Sequence, residues 1–154
     1  MRVRVAAIIV DAGRVLLVST RRGRPGYLVP PGGGVEEGEA LAEAVEREVR
    51  EEADLNVQAG SLLAYRELQT HRGVELELYF SAHLVAAGTA AAAPEDRQVR
   101  WVALEELPQL PHFPPQLHDL ARRAAVADER VTYLGRADTR SGAEPADMTE
   151  SESR

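Results

Sequence analysis

Glu48, Glu51 and Glu52 stand at i, i+3 and i+4 in the run Arg47-Glu48-Val49-Arg50-Glu51-Glu52. On a helix their carboxylates share one side. Like charges crowded in this way destabilise a helix unless something draws them together. A hard divalent cation such as magnesium does so, because it takes oxygen ligands. Just upstream, Pro31-Gly32-Gly33-Gly34 reads as a glycine-rich turn whose backbone groups can approach a ligand closely. A glycine cluster alone marks only a tight turn; its place ahead of an acidic helix gives it meaning.

The helix that must position these groups is predicted over residues 39–53. With Leu41 at zero and about 100° per residue, Val45 and Val49 fall at about 40° and about 80°, the core-facing side. Glu48 and Glu52 fall at about −20° and +20°, on the edge of that apolar stripe. Glu51 flanks them, while Glu43, Glu46 and Arg50 take the solvated side. A carboxylate aimed at a core costs several kcal/mol unless it is paired or bound to a metal. A solvated acidic face, the usual meaning of a charge run, explains Glu43 and Glu46 but not the phase of Glu48 and Glu52.

Elsewhere, strands are expected over residues 3–10, 14–19, 55–67, 74–85, 99–103 and 131–134, with a short extended piece at 27–31. The pieces 3–10 and 14–19 read as a hairpin about Asp11-Ala12-Gly13, and 55–67 and 74–85 as another about His71-Arg72-Gly73. A second helix is expected over 115–127, opened by proline. Strands alternating with two separated helices suggest a mixed sheet with helices packed on it. A domain over residues 1–136 is expected, followed by a disordered acidic tail over 137–154 that has almost no large apolar residue.

The 154 residues suffice for one domain with a real core. There is no cysteine, which excludes disulfides, thiolate metal sites and a cysteine nucleophile. No apolar run approaches the roughly 20 residues of a membrane span. A soluble, cytoplasmic protein without membrane partners is expected. The net charge is −7. The segment from Glu36 to Asp54 holds nine acids and two arginines, as much net charge as the whole chain. Bulk binding to nucleic acid is therefore not expected. Four histidines with no close pair argue against zinc.

These residues resemble the Nudix hydrolase signature: Gly, five residues, Glu, seven residues, Arg-Glu-aliphatic-any-Glu-Glu-any-Gly-aliphatic. Gly33 to Glu39 supplies the opening and Arg47 to Leu55 the close. The one departure is Asp54, where the family usually has the glycine that ends the helix. The resemblance implies a Nudix α/β/α sandwich around a mixed β-sheet. It implies hydrolysis of a nucleoside diphosphate linked to another group, with Mg2+ as cofactor and Mn2+ as a substitute. By position, Glu48, Glu52 and Glu51 would be metal ligands, completed by the Gly32 carbonyl. Glu39 would brace Arg47, and Gly33 would shape the loop.

Glu52, Glu51 and Glu95 are the candidates for the catalytic base, with Asp96 a rival to Glu95. Arg22, Arg24, Tyr27 and His71 are candidate substrate contacts, and Arg21 shares the same basic loop. The substrate stays open among ADP-ribose, nucleotide sugars and (d)NTPs, and a homodimer stays open. The competing expectation is a catalytically silent Nudix domain that binds or senses a nucleotide.

Overall fold

The computed structural model describes residues 1–19, 27–85 and 99–140. In chain order the strands are β1 (Arg2–Ile8), β2 (Val10–Asp11), β3 (Arg14–Ser19), β4 (Leu28–Val29) and β5 (Gly32–Gly34), followed by helix α1 (Leu41–Ala53). Then come β6 (Val57–Thr70), β7 (Gly73–Leu84), β8 (Val99–Ala103), α2 (Leu117–Ala125) and β9 (Thr132–Asp138). Among the described residues no helix is long and apolar enough to cross a membrane.

One sheet runs β5-β1-β7-β6-β9. It is mixed: β1 and β7 are parallel, as are β6 and β9, while β1–β5 and β6–β7 are antiparallel. A smaller antiparallel sheet is built on β3, which pairs with β2, β4 and β8. Helix α1 buries Ala44, Val45, Val49 and Ala53 against Val5, Ala7, Ile9 and Leu16. Helix α2 buries Leu117, Leu120 and Ala121 against the opposite side chains, including Ala6, Ile8, Leu17 and Tyr79. The strands thus form a central layer with one helix on each side, the α/β/α sandwich expected from the resemblance.

Several expectations need correction. The strand expected over 3–10 is two strands. Ile9 interrupts it, and Ile9 C=O instead accepts from Leu16 N–H at 3.0 Å. Alternation alone does not reveal where a chain leaves one sheet for the next. The glycines at 32–34 are not a turn but a short strand on β1. Leu41 is not a core residue; it is 39% exposed, as α1 opens with three exposed residues before Ala44 is buried.

Glu43 and Glu46 are not simply solvated. Glu43 accepts from Ala40 N–H at 3.0 Å and caps the helix start, and Glu46 accepts from Ala59 N–H at 3.1 Å. Asp54 takes the left-handed conformation expected there, φ 54°, and donates its N–H to Arg50 C=O. The last strand runs to Asp138, two residues beyond the expected boundary at 136, and buries Ala137 fully.

Candidate active site

The site begins at the free edge of β5. Register pairs Gly34 with Arg4, Gly33 with Val5 and Gly32 with Ala6. Bonds on either side set the phase: Ala7 N–H to Pro31 C=O at 2.8 Å and Val35 N–H to Val3 C=O at 3.0 Å. Bonded and non-bonded pairs alternate along an antiparallel ladder. Gly33 therefore turns its amide groups to β1, while those of Gly32 and Gly34 point off the edge. Helix α1 reaches that edge from one face of the sheet. Gly32 N–H donates to Glu52 Oε2 at 3.3 Å, and Arg47 Nη2 donates to Gly34 C=O at 3.0 Å.

Glu48 is buried against Gly33. A Cβ added at Gly33 would overlap the Glu48 carboxylate, which would have to shift to make room. Gly33→Ala is expected to lower stability by about 1–3 kcal/mol through this overpacking. Denaturant unfolding of the purified variant checks it; unchanged stability would show that the carboxylate moves aside freely.

Arg47 ties the loop to the helix. Its Nε donates to Glu39 Oε1 at 2.6 Å and its Nη2 to Glu39 Oε2 at 3.0 Å, a two-pronged pair. Its Nη1 donates to Glu48 Oε1 at 2.8 Å and lies 3.4 Å from Glu51 Oε2. The Arg47 guanidinium, with help from Glu36 N–H, holds the Glu39 carboxyl below the usual carboxylate range. The same bond raises Arg47 further above neutrality, and the Glu48 carboxylate adds to the effect.

Glu39, Arg47, Glu48 and Glu52 thus converge on Gly32, Gly33 and Gly34. Glu51 does not join them closely: it is exposed and, among the described residues, reaches Arg47 alone. Among the described residues no three acidic or histidine side chains are gathered into a ready metal site. The donor set still suits a hard cation. Two inward carboxylates, one held at glycine backbone and one packed on it, face an edge that carries the Gly32 carbonyl. Tyr27 is half-buried directly before β4. His71 is exposed in the β6–β7 turn, and no hydrogen bond among the described residues joins it to the glutamates. Arg22, Arg24 and Glu95, with Arg21 and Asp96, lie outside the described residues.

Sequence reasoning missed a buried polar row on the other face of the same sheet. Gly34, Arg4, Glu77 and Arg66 are successive cross-strand partners on β5, β1, β7 and β6. Glu75, Glu77 and Arg66 are buried, while Leu76 and Leu78 between them are half-exposed. The alternation of Val74-Glu75-Leu76-Glu77-Leu78 was legible, but its ordinary reading places the leucines inside. No local signal marks the row, because the central place of β7 in the sheet is set by long-range pairing.

A family model for the NUDIX domain matches residues 1–124, so the chain belongs to the Nudix family. Among solved structures it is similar to a NUDIX hydrolase from Nitrosomonas europaea, with 25% identity, TM-score 0.66, and 84% of this chain and 91% of that one covered. It is similar to the ORF135 protein of E. coli, with 28% identity, TM-score 0.61, and 84% and 93% covered. A MutT protein from Bacillus halodurans shares the fold at 23% identity and TM-score 0.66, with 90% and 92% covered. No curated protein sequence matches the chain.

Proposed function

We propose that this protein uses magnesium to hydrolyse a diphosphate bond in a nucleoside diphosphate linked to another moiety, with water attacking phosphorus. The observation that carries this reading is the inward pair Glu48 and Glu52, set against the Gly32–Gly34 strand. Glu48, Glu52 and the Gly32 carbonyl would hold the ion, with Glu51 brought in from the flank. Magnesium, or manganese in its place, neutralises diphosphate charge when bound and lowers the pKa of water.

The chain's own residues do the rest. Glu39 and Arg47 keep the glycine strand and α1 in register, so that the carboxylates meet the diphosphate without reorganisation. Glu52 is the preferred acceptor of the water proton, because it is half-buried at the glycine edge. Glu51 and Glu95 are the other candidates for that role. Arg22, Arg24, Tyr27 and His71 remain the proposed substrate-side contacts.

The test is a hydrolysis screen over ADP-ribose, nucleotide sugars, (d)NTPs and dinucleoside polyphosphates, with magnesium or manganese and with products identified. Release of a nucleoside monophosphate from one class is expected. Nucleotide binding without hydrolysis of any of them would overturn the proposal in favour of a silent sensor.

A further inference from the structure

The guanidinium of Arg66 has the features of an unused recognition group. Arg66 is fully buried. Among the described residues none of its three guanidinium nitrogens has a well-formed hydrogen bond, though its charge acts on the neighbouring Tyr79 hydroxyl. A buried cation so sparsely hydrogen-bonded is costly, and such an exception calls for an explanation. Its guanidinium also lies over the ring of Phe113, whose centroid is 4.8 Å from Cζ. That ring is placed by backbone: Leu28 N–H donates to Pro111 C=O at 2.9 Å, and Phe113 N–H donates to Leu28 C=O at 3.0 Å. The segment 111–113 is thereby fastened to β4 and lays Phe113, itself half-buried, over the sheet.

Glu77 is the cross-strand partner of Arg66. Side chains of directly paired residues share a face. Glu77 is buried and accepts from two groups, the Tyr79 hydroxyl at Oε1 and Arg4 Nε at Oε2, 3.3 Å. Each carboxylate oxygen accepts more than one bond, so capacity remains on it. Arg66 therefore offers only donors, and Glu77 beside it offers only acceptors. A phosphate or carboxylate would meet the negative charge of Glu77, and a cation would meet Arg66. The group that suits both is neutral and planar, with a carbonyl acceptor next to an N–H donor.

The row also lies in the right place. Gly34, at the glutamate edge, and Arg66 are three strand spacings apart, about 14 Å at roughly 4.8 Å per strand. A substrate whose diphosphate sits at the β5 edge would extend its nucleoside along this row.

We propose that Arg66 and Glu77 select the base of the substrate, taking bases with a carbonyl beside a ring N–H, as in guanine, uracil and thymine, over adenine and cytosine. Arg66 donates to the carbonyl oxygen and Glu77 accepts from the ring N–H. Adenine and cytosine present an amino donor beside a bare ring nitrogen, so they set donor against donor at Arg66 and acceptor against acceptor at Glu77. Phe113 supplies an aromatic wall for the base. This inference rests on the proposed hydrolase reading, because it takes the diphosphate to lie at the glutamate edge.

The test compares binding of GMP, UMP, AMP and CMP by calorimetry, alongside kcat/KM on the diphospho-sugar or triphosphate derivatives of the four bases. The wild-type protein is expected to favour guanine and uracil about ten- to a hundredfold. Arg66→Met replaces a buried charge by an apolar chain of similar size and should fold. It is expected to lose that preference, mostly through KM. Glu77→Gln, checked by thermal melting, is a second variant with the same expected direction. Equal use of all four bases by the wild type, or an equal loss on all four in both variants, would overturn base selection while leaving the hydrolase standing. Tight monophosphate binding with the expected base preference, but no turnover, would support base selection and sink the hydrolase reading. No binding of any monophosphate would sink base selection, and turnover of the derivatives would then decide the hydrolase reading separately.

Discussion

Glu52→Gln is expected to lower kcat by about 10²–10⁴-fold on whichever substrate the screen identifies, the range for loss of a positioned acid–base group. Gln has nearly the same size, and its amide oxygen can still accept the Gly32 N–H that Glu52 Oε2 takes at 3.3 Å. The fold should therefore stay intact, and thermal melting alongside the rate measurement checks that. What the substitution removes is the negative charge at the glycine edge. Manganese affinity, read by titration without substrate, should fall together with kcat. Glu51→Gln is the useful contrast. Glu51 is exposed and, among the described residues, pairs with Arg47 alone, so its loss should cost less than that of Glu52. Full activity in Glu52→Gln would remove the residue from the proposed mechanism.

Arg47→Lys is expected to cost about 10–100-fold in activity or metal affinity, the usual scale for removing a group that orients metal ligands. Arg47 serves several partners at once: both oxygens of Glu39, Glu48 Oε1, the flank of Glu51, Gly34 C=O and, at 3.8 Å, Glu36 Oε1. A lysine ammonium is a point charge without the planar fork, and it cannot span them. The variant should also be less stable at neutral pH. The sign of its pH dependence follows from Glu39, whose folded-state pKa is lowered by Arg47. That stabilisation is fully present above the ordinary carboxylate pKa and is lost as pH falls through the lowered one. The stability gap between wild type and Arg47→Lys should therefore narrow on acidification through the carboxylate range. Urea unfolding at several pH values measures it, and a gap that widened in acid would contradict the pairing.

Much of the site is legible in the sequence. The i, i+3, i+4 carboxylates, their phase against Val45 and Val49, and the glycines ahead of them are local facts. The helix period converts them directly into a face. The inward direction of Glu48 and Glu52 follows from that phase alone. The roles of Glu39 and Arg47 were read from a resemblance, and the two-pronged pair between them accounts for those roles physically.

Other features were decided only by long-range pairing. Nothing local tells a run of three glycines to become a strand rather than a turn; β1 does that by offering a ladder on which side chains would clash. Nothing local reveals that Ile9 ends one sheet and begins the hairpin of another. Glu46 looked solvated by helix phase, yet the N–H of Ala59, thirteen residues on, supplies its partner. The row Gly34, Arg4, Glu77, Arg66 draws on four strands. Alternation in β7 says that Glu75 and Glu77 share a face, but not which face the fold buries.

The sequence by itself thus determined the chemistry of the acidic helix, because helical periodicity is a property of neighbouring residues. The tertiary structure decided what surrounds that chemistry. It set the glycine edge that meets the carboxylates and the buried arginine some strands away, because sheet register is chosen by residues distant along the chain.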